Sequence, residues 1–172
     1  MSIEEFKQYF ETLAAAHQDV LHTPQEPHFC MWTIDEILTK QELNLSGVAI
    51  MLEYPSGFLS DSHSDNIFDN FIAAFFVLKQ FEDGNHAQFL TRNSECFSIG
   101  RDIISKLLKD YADFDTRPIP WLNTNSPKWD QAGTIFGSWT GYRFTVEIGD
   151  PSMDVQYYDE SKWDFSSGSS SS

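Results

Sequence analysis

The densest run of ligand-type side chains in this chain is Asp61-Ser62-His63-Ser64-Asp65, two carboxylates flanking an imidazole. Folded back on itself, such a loop offers oxygen and nitrogen donors to a divalent cation. Asp61, Asp65 and Asp69 also recur at i, i+4 and i+8, but the glycine and the closing glutamate of a calcium loop are missing. A polar hairpin tip accounts for the same residues with fewer assumptions, so no metal is assigned to them. The five histidines, at 17, 22, 28, 63 and 86, show neither H-x-x-x-H nor H-E-x-x-H spacing. Cys30 and Cys96 are the two cysteines, without a C-x-x-C partner, and read as buried thiols in a reducing compartment.

Nucleophile and phosphate signatures are missing as well. There is no G-x-S-x-G elbow, no G-x-x-x-x-G-K-[ST] loop and no G-x-G-x-x-G turn. Gly137-Ser138 and Gly141 read as hairpin glycines, and Glu82-Asp83-Gly84-Asn85 as a turn. Glu4/Glu5 and Asp35/Glu36 are first-turn acids favoured by the helix dipole. Of five tryptophans, Trp121, Trp129 and Trp139 surround a proline-rich stretch and read as a loop packed over a sheet rather than a ligand cage. The chain is therefore expected to be non-enzymatic and to need no cofactor. The one unusual surface feature is Phe58-Leu59, two bulky apolar residues in an otherwise polar loop. They are either folded into a local cluster or held for a partner. Phe58, Leu59, Asp61, His63 and Asp65 are the candidate interaction residues.

The elements that must position these residues follow from periodicity. Tyr142 to Ile148 alternates apolar and polar side chains, a half-buried antiparallel strand. Val48 to Tyr54 reads as a strand ended by Pro55-Ser56-Gly57. Residues 68–81 fit both periods, and their aromatic and β-branched content favours a strand. Residues 55–66 then form a long hairpin loop. Cys96, Gly100, Ile103, Ile104, Leu107, Leu108 and Tyr111 share one face of a helix over 93–111. Ser2 and Glu5 form a capping box opening a helix over 3–21, and Thr33 and Glu36 repeat it for a short helix at 34–41. Residues 24–32 are expected to be irregular or extended, and 113–130 a long apolar loop. A hairpin joins Ala132–Trp139 to Tyr142–Ile148 around Thr140-Gly141. The fold class is α+β: a mostly antiparallel sheet packed on a central amphipathic helix, with an N-terminal helix. Residues 1–165 make one domain, and 166–172 form a Ser/Gly tail with nothing to bury.

With 26 acidic against 11 basic residues the net charge is −15. Such a chain is repelled by phosphates and by anionic membrane surfaces, which argues against specific nucleic-acid or membrane binding. The N-terminus lacks the basic and apolar regions of a signal peptide, and no apolar run approaches membrane-span length, so assembly in the cytoplasm is expected.

The order of elements, the Asp69–Leu78 strand with its Phe-Phe-Val-Leu core, the Ser94-Glu95-Cys96 approach to the helix Ile99–Asp110, and the closing strand Gly141-Tyr142-Arg143-Phe144-Thr145-Val146 together resemble the tail terminator and neck proteins of tailed phages and related contractile machines. The resemblance covers about residues 45–150 and is one of pattern; the stretch 113–130 departs from it. It implies a homohexameric ring in the virion tail and neck. That ring caps the tail tube, stops its polymerisation and meets the head connector. DNA would pass non-specifically through an acidic lumen. Two other readings come from different classes. One is an acidic inhibitor or immunity-type module that binds a basic partner. The other is a small enzyme in a Trp/Pro-lined cleft.

Overall fold

In a computed structural model, residues 2–33, 45, 47–61, 67–113, 115, 119, 121–150 and 161 are described, with the backbone alone at 59–61, 67–69 and 149–150. The elements in order are α1 (Ile3–Ala16), β1 (Phe29–Trp32), β2 (Val48–Glu53), β3 (Ser56–Asp61), β4 (Ile67–Gln80), α2 (His86–Ala112), β5 (Trp121–Leu122), β6 (Lys128–Ile135) and β7 (Trp139–Asp150). The class is α+β, as the periodicity implies.

The spine is β4. Its fourteen residues pair antiparallel with β7 from Asp69↔Asp150 to Gln80↔Trp139. On its other side β4 pairs with β2 over its second half and with β3 over its first half. β1 runs parallel to β2, and β6 and β5 pair antiparallel with the far side of β7. The strand order is thus β1, β2 with β3, β4, β7, β6 with β5.

Alternation along β4 divides its side chains between two faces. Ala73, Phe75 and Val77 join Val48, Ile50, Leu52, Phe144, Val146 and Ile148 in the core beneath both helices. The Phe75 and Phe144 rings stack 5.3 Å apart, and Phe10 of α1 approaches Phe75 at 5.5 Å. α1 lies over β1 and β2, and α2 over β4 and β7. On the opposite face Ala49, Met51, Phe76, Leu78 and Trp139 form a second, smaller cluster.

Several expectations need correction. α1 stops at Ala16 rather than 21, because its apolar stripe Phe6, Phe10, Leu13, Ala14 is complete there. His17 takes an extended conformation and its Nδ1 accepts from Asp19 N–H, a local bond that competes with helix. α2 begins seven residues earlier than 93, where Asn85 Oδ1 accepts from Gln88 N–H and caps the first turn. Residues 56–61 are a strand and not part of a loop. Pro55 interrupts the ladder without ending it: the register sums to 127 for Val48↔Lys79 and 128 for Ser56↔Ile72, the one-residue excess of a β-bulge. Within 113–130, β5 and the start of β6 join the sheet edge beside buried Ile119 and Leu122.

The last hairpin turns at Phe136-Gly137-Ser138, where Phe136 and Gly137 take φ of 48° and 75°. Gly141 lies inside β7, and a Cβ there would meet Val77 O at 2.0 Å. Its role is close backbone approach rather than a turn. Trp139 is buried in the second cluster, against which Trp32 also packs, while Trp129 packs edge-on against Phe97 of α2. The short helix expected at 34–41 and the tail at 166–172 lie outside the described residues. Among the described residues, no helix is long and apolar enough to cross a membrane.

Candidate assembly surface

The face of the sheet turned away from the helices changes character along its length. Next to the second cluster stands an ion pair that spans a strand. Arg143 Nε donates to Glu53 Oε1 at 2.6 Å and its second nitrogen to Oε2 at 2.9 Å. The two residues belong to β2 and β7, with β4 between them. The small side chain of Ala74 faces the same way as Phe76, which leaves the gap they bridge. Arg143 also lies 5.9 Å over the Phe76 ring. Its hydrogen bond to Glu53 holds the guanidinium above its ordinary pKa, against the opposing effect of burial. A two-point fork of this kind fixes direction as well as charge.

Beyond the pair the face opens into a groove of about 500 Å³ lined by Ser56, Ile72, Asn123, Lys128, Arg143 and Glu147, among others. The wall on the β7 side is built by the segment between β5 and β6. Asn123 N–H donates to Glu147 O at 3.0 Å, and Glu147 N–H donates to Ser126 Oγ at 2.8 Å. Ser126 Oγ donates in turn to Asn123 O, and Asn123 Nδ2 to Glu147 Oε2. These bonds satisfy the β7 backbone where neither β5 nor β6 reaches it. They also occupy the Glu147 carboxylate, as Glu53 occupies Arg143. Lys128 is left as the exposed cation of the groove.

The candidate interaction residues divide unevenly. Phe58 is on β3, opposite Asn70, and is 48% exposed. By the register it shares a face with Ile72, which is 39% exposed and lies diagonally across the ladder. Leu59 and Asp61 belong to β3 by their backbone, opposite Asp69 and Ile67. His63 and Asp65 lie outside the described residues. The Glu53–Arg143 pair escaped sequence reasoning, since its partners sit 90 residues apart. The alternation of Tyr142 to Ile148 marks Arg143 as outward-facing but names no partner. Ile72 was legible only as an apolar position of an ambiguous segment.

Away from this face, polar groups are tied into the frame. Tyr9 Oη donates to Asp110 Oδ2 at 2.7 Å, joining α1 to α2, and Lys106 pairs with the same carboxylate. Glu95 accepts from Lys79 of β4 at 2.8 Å and from Arg92 at 3.0 Å. The Lys79 bond is the main cause holding its carboxyl below the usual range. Cys96 is fully buried, which pushes its thiol up to about 12. Among the described residues, no three His, Cys, Asp or Glu side chains converge on a common point.

This surface presents exposed Phe58 and Ile72, a polar groove, and in Lys128 an exposed cation with no ion-pair partner among the described residues. Comparison with protein families, characterised proteins and solved structures finds nothing that matches this chain.

Proposed function

We propose that the chain is a non-enzymatic assembly protein, a phage-like tail terminator that forms a ring at the end of the tail tube and joins it to the neck. The observation that carries this reading is the β3 half of the long hairpin. Phe58 of β3 and Ile72 of β4 are both exposed there, diagonal neighbours on one face, and the outer edge of β3 has no partner strand among the described residues. Single exposed apolar residues are ordinary, but a pair beside an unpaired edge is a contact surface. The charge of −15 suits a ring through which DNA passes, because the wall offers few cations to hold phosphates. The partners are further copies of itself, the tail tube and the connector.

The test is solution mass by light scattering against concentration, with imaging of tubes assembled with and without the protein. A ring, or a monomer that becomes a ring on the tube end, is expected. Phe58→Ser should leave the monomer folded, lower ring formation and give tubes of uncontrolled length. Normal termination by this variant removes the main support for the proposal. The charge itself favours one other reading, an acidic inhibitor of a basic partner. That protein would stay monomeric or dimeric and bind with steep salt dependence.

A further inference from the structure

Three histidines hold the connection between α1 and β1, and they use their ring nitrogens differently. His22 follows Leu21, which takes a left-handed φ of 52° and is 59% exposed. A leucine rarely adopts that backbone, so bonds from the surroundings must keep the turn closed. His22 supplies two of them. Its N–H donates back to Ala14 O of α1 at 3.2 Å. Its Nδ1 accepts from His28 N–H at 3.0 Å, at the start of β1.

A backbone N–H can only donate, so Nδ1 of His22 carries a lone pair and the ring proton sits on Nε2. That nitrogen faces Glu11 Oε1 of α1 at 3.4 Å, and the side chain is 10% exposed. The ring packs beside Phe29, with centroids 6.0 Å apart. Glu11 and His28 are the titratable residues that meet His22 from α1 and from the β1 side among the described residues.

We infer that His22 is an acid-released latch on the α1–β1 connection. A second ring proton has one place to go, Nδ1, where it meets another donor. Gaining it breaks the bond to His28, while Nε2–H stays on Glu11 and becomes charge-assisted. Acid thus exchanges a tie to β1 for an ion pair within reach of α1. The inference depends on no partner and stands apart from the ring reading.

The other two histidines show why His22 is the moving part. His17 Nδ1 also accepts a backbone N–H, but from Asp19 only two residues on, and its Nε2 lies 3.6 Å from Asp102 of α2. Protonating His17 frees a local turn and no second element. His28 Nδ1 lies 3.1 Å from Val48 O, a carbonyl, so that nitrogen donates in either charge state. His28 O also accepts from Ile50 N–H at 2.7 Å, which keeps the residue tied to β2. What loosens is the stretch ahead of it, Thr23 to Pro27, with the turn that Thr23 and Glu26 close.

The experiment follows amide exchange of the full chain by NMR from about pH 7.5 to about pH 5, the span over which an imidazole gains its second proton. Exchange is expressed as protection relative to an unstructured chain at each pH, which removes the acid dependence of exchange itself. Protection of the His28 amide should fall by about tenfold or more toward the acid end, while β4 and β7 amides keep theirs. His22→Asn places an amide oxygen where Nδ1 stands, an acceptor that does not titrate in this span. Its His28 protection should stay constant. Constant protection in the parent chain overturns the latch. An equal fall in parent and variant assigns the loosening to acid in general and overturns it too. The ring gives a second readout that needs no variant. Nitrogen–proton correlations in the parent should show His22 Nδ1 bare at the upper pH and protonated as His28 loses protection. A proton on Nδ1 at the upper pH, or a ring that charges while His28 stays protected, contradicts the inference.

Discussion

Gly100→Ala sets two physical effects against each other. Gly100 is interior to α2, where alanine is intrinsically better by about 1 kcal/mol. Judged by propensity alone the substitution stabilises. The packing says otherwise: a Cβ at this position would lie 2.0, 2.1 and 2.7 Å from three ring atoms of Phe144. That ring is fully buried and stacked on Phe75, itself fully buried against Phe10, so it has little room to withdraw. Overpacking of a tight core costs about 1–3 kcal/mol, and these distances place the site at the upper end. The net expectation is destabilisation by about 2 kcal/mol. For a chain of this size that lowers the melting temperature by roughly 4–8 °C. Urea denaturation should show the midpoint fall with an unchanged slope. A double-mutant cycle isolates the cause. In a Phe144→Leu background the same Gly100→Ala change should cost less by about 1 kcal/mol or more, since residues in direct contact couple by roughly 0.5–3 kcal/mol. A neutral or stabilising Gly100→Ala, or an equal cost in both backgrounds, refutes the packing argument.

Leu107 is fully buried under the sheet, so Leu107→Ala should cost about 2–5 kcal/mol by urea titration, and a change under about 0.5 kcal/mol removes it from the core. Tyr9→Phe deletes the bond to Asp110 and should cost about 1 kcal/mol at neutral pH. Burial, then the Asp110 bond, raise the Tyr9 pKa, so its contribution is complete below the unfolded tyrosine value near ~10 and is lost as pH climbs toward the folded one. The alkaline loss of stability should accordingly be shallower in Tyr9→Phe than in the parent chain. Glu95, held low first by Lys79, contributes above the unfolded carboxylate value and loses that contribution as pH falls through the folded one. Glu95→Gln should therefore flatten part of the acid limb, by a small amount because the side chain is 38% exposed. The Cys96 thiol, with its pKa pushed up to about 12, should stay unmodified by thiol reagents at pH 8 until the protein is unfolded, and rapid labelling in the native state contradicts its burial.

What could be read in advance divides along physical lines. β2, β7 and the centre of α2 announce themselves by their apolar patterns, whereas β4 fits both periods and only its aromatic and β-branched content favours a strand. β3 did not announce itself, since Pro55-Ser56-Gly57 carries the composition of a stop. The missed signal was stoichiometric: a strand as long as β4 needs ladder partners along both sides, and β2 supplies only its second half. The turn at 136–138 was displaced for a related reason. Gly137 and Gly141 are both plausible turn residues, and only the register shows that one bends the chain while the other admits a neighbouring backbone. For the candidate surface, Phe58 was legible as an apolar residue among polar ones. Ile72, the groove and the Glu53–Arg143 fork were not, because each depends on which strands stand side by side.

The extra residue at the β2–β3 junction acts as a parity switch. In β2 the even-numbered residues Val48, Ile50 and Leu52 point into the helix-covered core. In β3 the even-numbered Ser56 and Phe58 share the opposite face with Ile72. Side chains alternate with a period of two, so a one-residue excess exchanges the faces of everything downstream. Without the bulge, Phe58 would lie on the helix side and Gly57 would take its place outside. Drawing the junction into a regular ladder at unchanged chain length would thus invert the exterior of the hairpin, whereas deleting the one extra residue would keep the present pairing without a bulge; the outer character of this surface is set by a count rather than by a side chain.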